Sequence, residues 1–155
     1  MKILVDADSC PRLAREAVLR GALRTSVPAI FVANRPIPGI HGDGAVMEIC
    51  PPGEGAADDR IVENAHSGDL VVTRDVPLAL RLVEQSVRVV DDRGRVYTTE
   101  NVRELKSARD FMFGLAEQGL RGNRGRTYGK RELKAFADSF DRLLTALIRE
   151  NTPAP

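Results

Sequence analysis

Five aspartates stand at points where a short apolar run or a loop gives way to a helical segment. They are Asp6, Asp8, Asp58, Asp59 and Asp75. Clustered carboxylates repel one another and raise each other's pKa unless a cation sits among them. A divalent ion such as Mg²⁺ takes oxygen ligands, activates a water and stabilises charge on a phosphoryl oxygen. The spacing therefore points to metal-dependent hydrolysis of phosphodiesters, provided that the fold gathers these acids in one place.

Hydrophobic periodicity predicts the elements that must position these acids. Strands are expected at 3–5, 27–33, 45–50, 69–73 and 87–90, with a short edge strand at 95–97, and helices at 12–24, 57–67, 76–85, 100–118 and 132–150. The alternation of strands and helices up to residue 90 favours an α/β fold built from βαβ units. We expect a three-layer domain with a mainly parallel sheet of about four or five strands and two C-terminal helices packed on it.

The carboxyl ends of parallel strands lie on one edge of the sheet, where open α/β sheets bind their ligands. Asp6 and Asp75 each follow a strand, and the helix that opens with Asp58 and Asp59 leads into the second of these strands. We therefore expect a cluster of Asp6, Asp8, Asp75 and either Asp58 or Asp59. The alternative is that Asp75 and one of the other two are only helix caps, worth about 1 kcal/mol each. Asp6 resists that explanation, because it ends a buried strand where an unpaired carboxylate is costly.

Length and composition indicate one domain over residues 1–150, followed by a flexible tail at 151–155. No apolar run approaches the roughly 18 residues of a membrane span, and the N-terminus lacks signal-peptide features, so a cytoplasmic location is predicted. Cys10 and Cys50 form neither a disulfide framework nor a zinc spacing. Cys10 or Ser9 is the expected cap of the first helix, with Pro11 in its first turn.

Five blocks of the sequence resemble the YaiI/YqxD family of small bacterial proteins, in order and in spacing, along most of the chain. They are Val5–Pro11, Val32–Asn34, Ala57-Asp58 with Ile61-Val62, Gly68–Ala79 and Arg109–Met112. The resemblance implies a fold related to PIN-like domains, which are metal-dependent nucleases with acids at the ends of parallel strands.

By position, the resemblance makes Asp6, Asp58 and Asp75 the ligands of a Mg²⁺ or Mn²⁺ ion, with RNA or DNA as the substrate. Asp8 would be an additional acid, peculiar to this family, that orients the attacking water. PIN nucleases often carry a further acid shortly after the last of these positions, whereas Val76–Ala79 contain none. Asp8 is the residue that could replace it.

A basic, glycine-rich segment between the two last helices has the composition of a contact to a nucleic-acid backbone. Its candidate contact residues are Arg121, Arg124, Arg126, Tyr128, Lys130 and Arg131. The tyrosine could stack on a base, and the predicted partner is nucleic acid, in the first place RNA. The alternative is a solvated linker, because charged runs are commonly just that. The net charge of +1 gives no general affinity for nucleic acid, so any such surface must be local.

Two other functions compete with the nuclease. One is a non-catalytic module that binds nucleic acid or protein on the same fold. The other is a phosphatase of the haloacid-dehalogenase type, which Asp6-x-Asp8 after a first strand also resembles. That chemistry needs a lysine beside the nucleophile, and the lysines, at positions 2, 106, 130 and 134, all lie outside the acidic blocks. The phosphatase is therefore the least favoured of the three functions.

Overall fold

The structure is a computed structural model that describes residues 1–117 and 127–155. Its strands are β1 (Ile3–Asp6), β2 (Ala29–Ala33), β3 (Ala45–Ile49), β4 (Leu70–Val72), β5 (Arg88–Val90) and β6 (Val96–Tyr97). Its helices are α1 (Arg12–Thr25), α2 (Ala56–Asn64), α3 (Val76–Glu84), α4 (Thr99–Glu117) and α5 (Lys130–Asn151). The predicted α/β fold with C-terminal helices is confirmed, and every expected strand and helix is present.

The strands form one sheet in the order β3-β2-β1-β4-β5-β6. Neighbouring strands are parallel from β3 through β5, and β6 alone runs antiparallel, against β5. The predicted parallel sheet of four or five strands is confirmed, because β1 to β5 are all parallel, and the expected short return strand, β6, adds a sixth. The chain builds outward from β1 to β3 and then crosses back to place β4 on the other side of β1. This reversal leaves a crevice at the carboxyl ends of β1 and β4, where ligands bind in such sheets.

Two hydrophobic layers cover the faces of the sheet. Val5 and Phe31 belong to the layer that α1 and α5 complete, while Leu4 packs with Ile61 of α2 and Leu78 of α3 on the opposite face. Side chains that alternate along β1 therefore enter different cores, as the period of a strand requires. All four residues of β1 are buried, so its terminal carboxylate is held in a rigid setting.

Helix α5 anchors the C-terminal portion along α1. Phe136 and Phe140 stack with their ring centroids 5.4 Å apart in the core that it shares with α1. A Cβ at Gly21 of α1 would lie only 2.6 Å from the ring of Phe140, so the glycine permits this close approach. At the far end of α5, Asn151 donates to the carbonyl of Gly68 over 3.2 Å. Among the described residues, no helix combines the length and the apolar character that crossing a membrane requires.

Candidate acidic site at the carboxyl edge of the sheet

Asp6 ends β1 and is held by two hydroxyl groups. Its Oδ2 accepts hydrogen bonds from Ser9 Oγ and Thr73 Oγ1, each over 2.9 Å. The prediction that Ser9 or Cys10 caps α1 is wrong, because the N-cap residue is Pro11 and no side chain caps the helix. Burial raises the pKa of Asp6, the two hydroxyl hydrogen bonds oppose this, and the charges of Asp75 and Asp8 raise it further.

Asp75 lies at the end of the neighbouring strand and has two roles in the structure. Its Oδ1 accepts the backbone N–H of Leu78 over 3.0 Å, which confirms the predicted N-cap of α3. Its own N–H donates to Thr73 Oγ1 over 3.0 Å, so that threonine joins it indirectly to Asp6. A capping carboxylate can also face a site, because only one of its oxygens is used in the cap.

Asp58 and Asp59 lie in different environments at the start of α2. Asp59 is exposed and accepts a hydrogen bond from Arg81 Nη1 over 2.9 Å. Asp58 is half-buried, and its pKa is raised to about 6, first by burial and then by the negative charges of Asp75 and Asp6, while Arg81 acts in the opposite direction. Of the two, Asp58 is the residue whose pKa the two strand-end acids raise, and its place in a site stays a prediction.

Asp8 lies toward β2 rather than toward β4. Its Oδ2 accepts the backbone N–H of Asn34 over 2.8 Å, and Arg35 Nε approaches its Oδ1 at 3.8 Å. The carboxylate therefore orders the loop that follows β2, although its charge still raises the pKa of Asp6. The role of orienting a water stays a prediction for this residue.

The chemistry of these carboxylates suits a hard divalent cation, but their present placement does not form a closed ligand set. Within residues 1–117 and 127–155, no three His, Cys, Asp or Glu side chains converge closely enough to hold a metal ion. In the same ranges, no lysine or arginine forms an ion pair with Asp6, Asp58 or Asp75.

Asp92 is a further acid at this edge that the sequence analysis missed. It follows β5 and is only 3% exposed, and its Oδ2 makes no hydrogen bond with any described residue. Arg74 Nη1 lies 3.9 Å from that oxygen, and both residues line a narrow crevice with Asp6, Cys10 and Thr73. Burial raises the pKa of Asp92, and Arg74 opposes the shift. A pair of acids directly after an apolar strand was the signal that could have indicated it, but the turn composition of 91–94 suggested only a turn.

The basic segment is only partly within the described structure. Arg121, Arg124 and Arg126 lie outside the described residues, whereas Lys130 and Arg131 are exposed in the first turn of α5. Tyr128 is half-buried against the core between α1 and α5, and its buried hydroxyl has no hydrogen-bond partner among the described residues. Part of its ring is thus already engaged in packing, and contact with nucleic acid stays a prediction for all six residues.

Comparisons with known proteins place the chain among bacterial proteins that carry no assigned activity in their names. A family model described as "Uncharacterized BCR, YaiI/YqxD family" matches residues 4–146. A UPF0178 protein of Treponema pallidum is 46% identical over 96% of this chain and 84% of its own length. A UPF0178 protein of Geobacter metallireducens is 44% identical over 99% of both chains, and one of Treponema denticola is 41% identical over 97% and 96%. No solved structure matches the chain.

Proposed function

The chain belongs to the YaiI/YqxD family, and on that premise we propose that its acidic edge is the site of a divalent-cation-dependent phosphodiesterase acting on RNA or DNA. One observation supports this above others. Asp6, Asp58 and Asp75 come from β1, α2 and the start of α3, and the negative charge of Asp75 raises the pKa of both Asp6 and Asp58. Acids that raise each other's pKa in a cleft are candidates for a functional site.

The three carboxylates have different proposed roles in holding the metal ion. Asp6 and Asp75 are the proposed metal holders, because β1 and the start of α3 fix their backbones and each keeps an oxygen that is free of hydrogen bonds within the described residues. Asp58 would complete the ligand set from α2. A bound Mg²⁺ or Mn²⁺ would supply charge stabilisation at the phosphoryl group and a more acidic water. Asp8 is proposed to orient that water from the side of β2.

Calorimetric titration with Mn²⁺ tests the proposal, because adjacent residues provide a matched control. Asp6→Asn, Asp58→Asn and Asp75→Asn should each weaken Mn²⁺ binding at least tenfold, about 1.4 kcal/mol in binding free energy. Asp59→Asn removes the same charge one residue away but from a side chain that pairs with Arg81, so binding should be nearly unchanged. Cleavage of a labelled single-stranded RNA should then require Mn²⁺ and fail in the first three variants. Equal loss in all four variants, or no binding by the wild type, would refute the metal site.

A second function, a non-catalytic interaction module, is favoured by a different observation. The acids do not converge on one point, and three of them already have structural partners: Asp6 at Ser9 and Thr73, Asp75 at the N-terminus of α3, and Asp8 at Asn34. RNA binding without Mn²⁺ binding would favour this module.

The phosphatase receives no support from the lysines. Lys2 pairs with Asp69 at the opposite edge of the sheet, over 2.6 Å, while Lys106 and Lys134 pair with acids on their own helices. Trapping of a phosphorylated enzyme intermediate would be the observation that supports the phosphatase.

A further inference from the structure

Strand β3 leaves an unprotected edge on the sheet. It pairs with β2 alone, and Val46 and Ile49 are 55% and 53% exposed. Natural proteins usually guard such an edge with lysines, prolines, bulges or a covering element. Within β3 the single charge is that of Glu48, which forms an ion pair with Arg60 of the same chain. The strand therefore offers a neutral, largely apolar edge to another extended backbone.

The hydrogen bonds to β2 show which backbone groups of β3 point outward. Gly44 O accepts from Ala29 N and Cys50 N donates to Ala33 O, each over 2.8 Å. Because alternate residues of a parallel strand bond to a given neighbour, even-numbered residues face β2 and odd-numbered residues face outward. The outward groups are those of Ala45, Met47 and Ile49. The N–H of Ala45 is already used, since it donates to Gly42 O over 3.2 Å.

This outward row is symmetric about its middle residue. Met47 keeps both its N–H and its C=O free of described partners, and the carbonyl of Ala45 matches the N–H of Ile49 two residues away on the other side. An antiparallel copy of the same strand, related by a two-fold axis at Met47, would pair each of these four groups. The outward C=O of Ile49 would lie opposite the Ala45 N–H, which already donates to Gly42 O, so the pairing leaves that carbonyl without a β3 partner. Two Met47 residues would exchange a pair of hydrogen bonds, and each Ile49 N–H would donate to Ala45 O of the other copy.

We propose that this protein forms a two-fold symmetric homodimer in which β3 pairs antiparallel with β3 of a second copy, centred on Met47. A second copy is the favoured occupant because an isologous contact requires self-complementarity, which the row around Met47 possesses. Both ends of the row are also bounded, by a turn before Ala45 and by Pro51 after the strand. The opposite edge strand, β6, has two residues, so association would stop at the dimer rather than continue into a fibre.

Cysteine crosslinking distinguishes this register from every other arrangement. In a directly opposed pair the two Cα atoms lie about 5.5 Å apart, within the range that a disulfide spans. Met47→Cys should therefore give a crosslinked dimer under mild oxidation. Ile49→Cys should not, because the register places its equivalent four residues, or about 13 Å, farther along the strand. Wild type is the background control, since Cys10 and Cys50 are buried.

Sedimentation equilibrium on the full chain provides an independent measurement. Ile49→Lys introduces a lysine, which natural edge strands use to prevent pairing. The two-fold axis places the new charge in both copies, so the dissociation constant of the dimer should rise roughly tenfold. Phe111→Lys is the control, because it changes another exposed apolar residue, 67% exposed on α4, away from the edge. Circular dichroism would verify that both variants are folded.

Three results would overturn the proposal. They are a monomeric wild type at every concentration, crosslinking through Ile49→Cys in place of Met47→Cys, and a dimer that Phe111→Lys weakens while Ile49→Lys does not. A monomer whose β3 instead captures an extended peptide is one case of the first result.

Discussion

Thr73 Oγ1 donates a hydrogen bond to Asp6 Oδ2 over 2.9 Å and accepts one from the backbone N–H of Asp75 over 3.0 Å. This one hydroxyl joins the carboxyl ends of β1 and β4 at the point where the chain reverses its direction of growth through the sheet. Thr73 is 2% exposed, so neither bond is readily replaced by water. The threonine is therefore the structural link between the two strand-end acids.

Replacing Thr73 by valine should cost about 1.5–3 kcal/mol in the free energy of unfolding, because a hydrogen bond to a buried carboxylate is lost without a change of shape. The pKa of Asp6 should rise further, since that hydrogen bond lowers it. Thr73→Ser keeps the hydroxyl and is the control. Urea unfolding measures the first effect and a carboxyl-carbon NMR titration the second. A valine variant as stable as the serine variant would contradict this account.

Asp58 should make the stability of the protein depend on pH. Its folded pKa of about 6 exceeds its ordinary value of 3.8, so the folded state binds more protons and its stability falls as the pH rises from about 4 to about 6. Asp58→Asn should remove this loss and be about 1 kcal/mol more stable than wild type at neutral pH, after allowance for solvent screening of a half-buried group. The difference should vanish at the acid end of that window. Urea unfolding across that range measures it, with Asp59→Asn as the variant expected to leave the slope unchanged.

The positions of Asp6 and Asp75 follow from the sequence, because Asp6 comes directly after a run of buried apolar residues and Asp75 comes three residues after the end of another. Which of Asp58 and Asp59 is half-buried and which is exposed does not follow, because the answer depends on the rotational phase of α2. That helix begins at Ala56, after Gly55 in a left-handed conformation with φ of 78°, and one residue changes the face by about 100°.

The sequence analysis missed Asp92 for a different reason. Two acids followed by Arg93 and Gly94 favour a turn, and the turn is real, since Asp91 accepts two backbone N–H groups there. Composition alone does not show that the second acid of such a turn is folded inward against Arg74. Long-range contacts of this kind, like the hydrogen bond from Thr73 to Asp6, depend on strand order, which local patterns do not specify.

Gly94 should be intolerant of a side chain because two constraints coincide there. Its φ is 87°, and an added Cβ would collide with the backbone carbonyl of Ala135 in α5. Gly94→Ala should therefore destabilise the protein by more than the roughly 1 kcal/mol that a left-handed backbone alone costs. Gly44→Ala is the control, since Gly44 has a φ of 78° with open space around it. Equal melting temperatures for the two variants would show that α5 does not pack this closely on the β5–β6 turn.

Asp91 and Asp92 are adjacent and buried, yet their amide variants should behave in opposite ways. Asp91 Oδ1 accepts the N–H groups of Arg93 over 2.9 Å and of Arg95 over 2.8 Å, so Asp91→Asn should destabilise the protein by about 1–3 kcal/mol. Asp92 instead carries a charge whose pKa burial raises, with an oxygen that no described residue hydrogen-bonds and a guanidinium no closer than 3.9 Å.

The raised pKa of Asp92 means that ionisation costs stability at neutral pH, so Asp92→Asn should be neutral or stabilising there. Urea unfolding of both variants at neutral pH and at pH 4 would measure the contrast, and the advantage of Asp92→Asn should shrink as the wild-type carboxyl becomes protonated. A strong loss of stability in Asp92→Asn at both pH values would mean that this carboxylate is held by Arg74 more firmly than their separation indicates. Mn²⁺ titration of the same folded variant would then show whether its charge contributes to the acidic site beside it.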